Sequence, residues 1–197
     1  FDFIVIEKIY ENRAAFPHSK AFYLEKKYTG AEIEEKLVHI REMMDRKNAD
    51  VHIMTTLDDI CWTFNIRGRD VECNPVIMAF SAITKDRAYI YADRERFNSD
   101  IESIFNEAGV DIRPYEQIYV DIKTFTGRIL IDRKRINMRI YESVISNVNA
   151  EPVFGDNPAM LLKSVKNETE VSNLRNVHVD DGVAVTKFIF WLKKNVS

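Results

Sequence analysis

The chain has 197 residues and a formal net charge of -3, with acids and bases interspersed. It therefore carries neither the basic stripe of a nucleic-acid binder nor the like-charge block of a tail. Hydrophobic residues make up 46%, enough to fill a core, yet no apolar run approaches the ~18 residues needed to span a bilayer.

Phe1 to Tyr28 reads as a lead-in, in which Val5, Ile6 and Ile9 can dock on a neighbour and Pro17 opens a connecting loop. It has no basic flank and no cleavage site of a secretory signal, and it begins without Met, as expected of a piece of a longer protein. Thr29-Gly30-Ala31-Glu32 has the form of a capping box, followed by Ile33, Leu37, Ile40 and Met44 on one helical face. That helix is predicted to end near Lys47-Asn48, and Val51 to Thr55 is a short apolar strand. Thr56-Leu57-Asp58-Asp59 resembles a second capping box, and Leu57, Ile60, Cys61 and Phe64 then share a helical face. Gly68 is expected to stop that helix at positive φ.

Arg67 to Pro75 is a polar loop. Val76 to Thr84 and Ala88 to Asp93 predict a hairpin around Lys85-Asp86-Arg87. Ser99-Asp100-Ile101-Glu102 is expected to cap a helix ending at Gly109, with Ile101, Ile104, Phe105 and Ala108 inward. Val110 to Arg113 follows as an edge strand stopped by Pro114. Ile118, Ile122 and Phe125 mark a further helix, Arg128 to Asp132 a strand, and Ile140, Tyr141, Val144 and Ile145 another helix. Gly155-Asp156-Asn157-Pro158 breaks the pattern. Asn167-Glu168-Thr169-Glu170 then caps a long final helix carrying Val171, Leu174, Phe188, Ile189 and Leu192. The expected class is α/β: a mixed β-sheet with helices on both faces, plus a long C-terminal helix.

The two cysteines, Cys61 and Cys73, are read as free thiols in a reducing compartment; no His or second Cys pair nearby completes a metal site. Asp58-Asp59 is either a paired acid site or a helix N-terminus that welcomes negative charge. His178 and Asp181 are three apart on a helix, as a ligand pair or as surface polarity. His39 and His52 are lone histidines, one on a helix surface and one in a strand.

Leu57-Asp58-Asp59-Ile60-Cys61-Trp62-Thr63-Phe64-Asn65-Ile66-Arg67-Gly68-Arg69-Asp70-Val71-Glu72-Cys73-Asn74-Pro75-Val76 resembles the segment L-D-x-I-x-W-x-x-N-x-R-G-x-D-x-x-x-N-P-V of the Xaa-Pro aminopeptidases, members of the creatinase/prolidase metallopeptidase family. Ile6 to Arg13 is similar to the family's V-D-x-I-W-x-x-R-P lead-in, with Tyr10 for Trp and Ala14 for Pro. Tyr28-Thr29-Gly30 followed by Lys36 resembles the Y-x-G…K opening of its second domain. Lys166 to Glu170, His178 to Ala184 and Trp191-Leu192 resemble the helix that enters its catalytic domain.

The resemblance implies a creatinase N-terminal-type fold and three segments: residues 1–28 as lead-in from a preceding domain, 29–157 as the α/β domain, and 158–197 as connector and first helix of a catalytic domain beyond this chain. It implies a cytoplasmic, homo-oligomeric parent that hydrolyses the N-terminal residue preceding proline. That parent uses two divalent metal ions, commonly manganese, none of whose ligands falls on a residue here. The chain's partners are then its own catalytic domain and, through the parent, peptides with proline second, with no nucleic acid and no membrane. Trp62, Arg67, Asp70 and Asn74 are the candidates for substrate access. Arg67 holds a carboxylate or carbonyl oriented by Asp70, or else Arg67 and Asp70 form an internal ion pair with Asn74 capping the turn before Pro75. Trp62 projects toward a cleft or packs on the sheet. The competing readings are an interaction module of a non-peptidase relative, and the equivalent domain of a prolidase or creatinase-like hydrolase.

Overall fold

The computed structural model describes residues 14–196; the docking expectation for Val5, Ile6 and Ile9 and the lead-in motif up to Arg13 lie outside them. In chain order the elements are β1 (Phe22–Tyr23), α1 (Lys26–Thr29), α2 (Ile33–Arg46), β2 (Val51–Met54), α3 (Leu57–Thr63), β3 (Ile66–Arg67), β4 (Phe80–Thr84) and β5 (Ala88–Tyr91). They continue with α4 (Ser99–Glu107), β6 (Val110–Arg113), α5 (Ile118–Asp121), β7 (Gly127–Ile131), α6 (Met138–Ile145), β8 (Ala150–Phe154), α7 (Pro158–Ser164) and α8 (Glu168–Asn195).

Six strands form one sheet in the order β6-β5-β4-β2-β7-β8, and β1 and β3 form a separate antiparallel ribbon. The sheet is mixed: β2–β4 and β4–β5 are antiparallel, while β2–β7, β5–β6 and β7–β8 are parallel. Successive side chains of a strand face opposite ways. Val51 and Ile53 of β2, with Ile129 and Ile131 of β7, meet Ile118, Ile122, Ile140 and Val144 of the α5–α6 layer. Met54 and Leu130 face the other layer, built by Ile33, Leu37, Ile40 and Met44 of α2, Ile60 of α3, Phe105 of α4 and Ala159 of α7. The sheet is covered on both faces, as expected. The edge strand Val110–Arg113 and the hairpin of β4 and β5 also stand where the sequence puts them.

Several local expectations are corrected. The capping box of α2 is Glu32 with Glu35, not Thr29 with Glu32. Gly30, at φ 72°, first closes the one-turn α1, so α2 starts later. Thr56 is the N-cap of α3, but its hydroxyl donates to Asp59 Oδ2 at 2.6 Å instead of accepting a backbone amide. Asn98, not Ser99, caps α4 through the Ile101 amide. Residues 76–79 stay outside β4, although Val76, Ile77 and Ala79 are buried.

Gly68 neither ends α3 nor has positive φ; α3 ends at Thr63, and Asn65 turns the chain at φ 52°. Gly68 is small for want of room, since a Cβ there would lie 2.2 Å from Ile77 Cγ2. The break at Gly155–Asn157 separates two elements the pattern did not reveal, β8 and α7. Ala21 N–H donates to Arg96 O at 2.8 Å, and β1 pairs with β3, so the described end of the lead-in lies against the sheet domain.

Candidate functional site

The loop that follows β3 lies beside the entry of α8, and a cleft of about 400 Å³ opens between them. It is lined by Leu24, Tyr28 and Thr29, by Asp58, Cys61 and Trp62 of α3, and by Arg67 with residues 74–76. Lys163, Lys166, Glu170, Asn173, Leu174 and Val177 close it. Trp62, Arg67 and Asn74 therefore meet at one surface, and Asp70 does not join them.

Trp62 is fixed from two directions. The Lys36 ammonium lies 4.4 Å from the centre of its ring, and its Nε1 donates to Glu170 Oε1 at 3.2 Å. Lys36 belongs to the buried stripe of α2 and is 3% exposed. Its Nζ donates to Trp62 O at 2.7 Å and to Asn65 Oδ1. Burial pulls this amine down to about 8, against the opposing pull of Glu170. Glu170 also accepts from the Asn167 amide and completes the capping box of α8. The indole thus joins the core, through a buried cation, to the first turn of α8.

Arg67 Nη1 donates to Cys61 O at 2.9 Å and to Ile66 O at 2.8 Å. No salt bridge joins it to a carboxylate among the described residues. The Arg67–Asp70 ion pair is not formed. Asp70 turns inward, where its side chain is 0% exposed and lies 2.6 Å from Arg96 Nη1. It also accepts from the Ser19 amide and hydroxyl and from the Met78 amide at 2.7 Å. Burial alone would raise the Asp70 carboxyl, but Ser19, Met78 and Arg96 outweigh it and hold it below the usual range. Just before Asp70, at Gly68, the chain passes close to Ile77 and Ser19. The turn before Pro75 is closed by backbone bonds, Asn74 N–H to Val71 O at 3.2 Å and Val76 N–H to Asn74 O at 2.8 Å, not by an Asn74 side-chain cap.

Asp58 and Asp59 are not a paired acid. Lys163 of α7 bonds Asp58 and lies 2.6 Å from Asp59 Oδ1. Burial pushes the Asp58 carboxyl up, and Lys163 more than reverses it. The thiol of Cys61 is buried and raised to about 11, chiefly by that burial, which removes it as a nucleophile at neutral pH. Both cysteines are free, Cys73 on the surface. His178 and Asp181 are exposed on α8. No group of three or more His, Cys, Asp or Glu among the described residues converges as a metal site, so the residues present do not fit the implied metal pair.

Lys36, Glu170 and Lys163 join the site without standing out in the sequence as site residues. The signal for Lys36 was available: a lysine at the buried spacing of Ile33, Leu37 and Ile40. Lys163 and Glu170 reach the cleft only through tertiary packing.

The Creatinase/Prolidase N-terminal domain family matches residues 12–170. The chain is 32% identical over 185 residues to Xaa-Pro aminopeptidase 1 of Dictyostelium discoideum, covering 92% of this chain and 28% of that protein. It thus spans under a third of the length of that relative. Its fold is similar to the X-prolyl aminopeptidase of Caenorhabditis elegans, described as a cytosolic enzyme with a di-nuclear active site, with a TM-score of 0.87 over 97% of this chain and 32% of that one at 23% identity. A second likeness is to the Xaa-Pro dipeptidase of Bacillus anthracis, with a TM-score of 0.54 over 72% of this chain and 38% of that one, at 16% identity. Among the described residues no helix is long and apolar enough to cross a membrane.

Proposed function

The chain belongs to the creatinase/prolidase N-terminal domain family, and on that basis we propose that it is the non-catalytic second domain of an Xaa-Pro aminopeptidase. In this reading the parent is cytoplasmic and homo-oligomeric, and it hydrolyses the bond between an N-terminal residue and a following proline. Two divalent ions, most simply manganese, are held by residues outside this chain; when bound, such a pair supplies an activated water and a clamp for the developing oxyanion. Residues 29–157 form the domain, and 158–197 lead from it into the catalytic part.

The role of this chain is to shape the approach of substrate. The observation that carries it is the cleft, which Trp62, Arg67 and Asn74 line together. Arg67 donates from one nitrogen to two backbone carbonyls, which anchors the guanidinium and leaves Nε and Nη2 to meet a peptide carbonyl or carboxylate. Trp62, clamped by Lys36 and Glu170, offers a rigid apolar wall at little entropic cost. Asp70 takes no direct part and instead braces the loop from behind.

In the full-length protein Arg67→Ala is expected to raise KM for Xaa-Pro peptides about 10-fold with kcat nearly unchanged, the signature of lost uniform binding. Unchanged KM would remove the cleft from the substrate's path. The 197-residue chain supplied with Mn²⁺ is expected to release no residue from an Xaa-Pro peptide; metal-dependent release would overturn the assignment of a non-catalytic domain.

A further inference from the structure

His52 is buried at the centre of the sheet, at 0% exposure, and both ring nitrogens face oxygens. Nδ1 lies 3.1 Å from Leu130 O, and Nε2 lies 3.0 Å from Asn157 Oδ1. A backbone carbonyl can only accept. The side-chain amide of Asn157 could present a donor instead if it were turned over, but its surroundings fix it. Its Oδ1 accepts from the Ala159 amide at 3.0 Å as the N-cap of α7. Its Nδ2 donates to the Asp59 carboxylate at 2.8 Å and to Thr56 Oγ1 at 3.3 Å. Turning it over would set an oxygen against the Asp59 carboxylate and an NH₂ against the Ala159 N–H.

A neutral imidazole has one N–H and one lone pair. It can satisfy one of these acceptors and must oppose its lone pair to the other. We propose that His52 carries both ring protons in the folded domain and that this second proton latches α7 to the sheet.

The charge has counter-charges on the elements packed around it. Asp59 and Asp58 lie on α3, and Asp132 follows β7. On the cationic side, Lys163 of α7 answers Asp58 and Asp59, and Arg135 lies 3.7 Å from Asp132. Lys47, beyond α2, lies near Gly155, where a Cβ would stand 2.9 Å from its Nζ. Asp156 next to Asn157 is exposed, and β4 places only Ile83 opposite His52. Burial is the strongest single influence on the ring and lowers its pKa. The bonds to Asn157 and Leu130 and the charges of Asp132 and Asp59 oppose it without restoring the ordinary value. Against that stands the geometry, in which a neutral ring must turn a bare lone pair on one of two oxygens about 3 Å away inside a fully buried site.

The consequence lies in α7. It carries Lys163, its end leads to Lys166, and both line the cleft. Loss of the second proton sets a lone pair of the ring against Asn157 or Leu130; where it faces Asn157, α7 keeps its cap but loses its tie to β2, so the cleft wall loosens as pH rises through the folded-state pKa.

The experiment is a long-range ¹H–¹⁵N spectrum of the histidine rings in the complete 197-residue chain across pH 5 to 9, with His52→Gln to assign the signal. The expected result is a His52 ring with both nitrogens protonated at pH 7. One unprotonated nitrogen at pH 7 overturns the proposal. Asn157→Ser retains a capping oxygen but withdraws the amide oxygen from Nε2. It is expected to lower the pH at which His52 titrates by one unit or more, a 10-fold weaker hold on the proton. An unshifted titration shows that Asn157 does not hold it and overturns the latch.

Discussion

Lys36 sits among Ile33, Leu37 and Ile40 on the buried face of α2, and its amine answers to two oxygens and one aromatic ring. Its folded-state value of about 8 lies below the ordinary 10.5. Between these values the unfolded chain binds a proton that the folded chain releases, so stability rises with pH through that window. Below pH 8 the burial cost is fully present. The wild type is expected to gain about 3 kcal/mol on Lys36→Met between pH 7.5 and 10.5, from ~1.36 kcal/mol per pKa unit, read as the difference between urea-unfolding curves. A difference flat in pH would show that the amine is not buried as a cation. Asp70 is the complementary case. Asp70→Asn leaves the Arg96 guanidinium, 2% exposed, without a carboxylate, and removal of one partner of a buried pair costs ~3 kcal/mol or more. Asp70→Asn is therefore expected to lower the urea midpoint sharply. A variant of native stability with impaired peptide binding would return Asp70 to the substrate-contacting group.

At the scale of elements, the joint between the domain and α8 rests on few groups. Asn167 Oδ1 accepts from the Glu170 amide at 2.9 Å, and its Nδ2 donates to Thr29 O at 2.8 Å, so one side chain caps α8 and fastens it to α1. Asn167→Ala is expected to cost about 1–2 kcal/mol, the upper part of the range for a lost N-cap, measured by chemical denaturation; a cost near zero would mean that α8 docks without it. This cap was legible because Asn167-Glu168-Thr169-Glu170 announces itself locally. The cap of α2 lies three residues beyond Thr29, which carries the same local signal, and only the left-handed Gly30 shows that α1 ends there. β8 and α7 stayed hidden for a shared reason. Pro152 lies inside β8 and Pro158 opens α7, and proline reads as a breaker, although an edge strand tolerates it and the first helical turn favours it. In the cleft, Trp62, Arg67 and Asn74 could be chosen from the motif. Asp70 could not be told apart from them, because its partner Arg96 comes from 26 residues further along.

For the molecule as a whole, stability is expected to be uneven along the chain. The sheet and its two helical layers bury their side chains, whereas α8 runs 28 residues with none buried. Its first turns are held by Trp62, Thr29 and Asn173, whose Nδ2 donates to Tyr28 O at 3.2 Å. Beyond Val177 its side-chain hydrogen bonds among the described residues stay within the helix, from Thr186 to Gly182 O and from Asn195 to Trp191 O. Gly182 stands in that stretch, at a cost of ~1 kcal/mol relative to alanine, with β-branched Val179, Val183 and Val185 around it. Most helical stability in proteins comes from packing of an amphipathic face, which this stretch lacks among the described residues. Phe188, Phe190 and Trp191 are exposed, Trp191 at 54%, which is an apolar surface of the kind that marks an interface. In dilute solution the amides of residues 180–195 are therefore expected to exchange hydrogen at least 100-fold faster than those of β2 and β4, with the first two turns of α8 in between. Exchange in residues 180–195 as slow as in β2 would show this apolar face covered, and slowing that grows with protein concentration would identify the cover as a second copy of the chain.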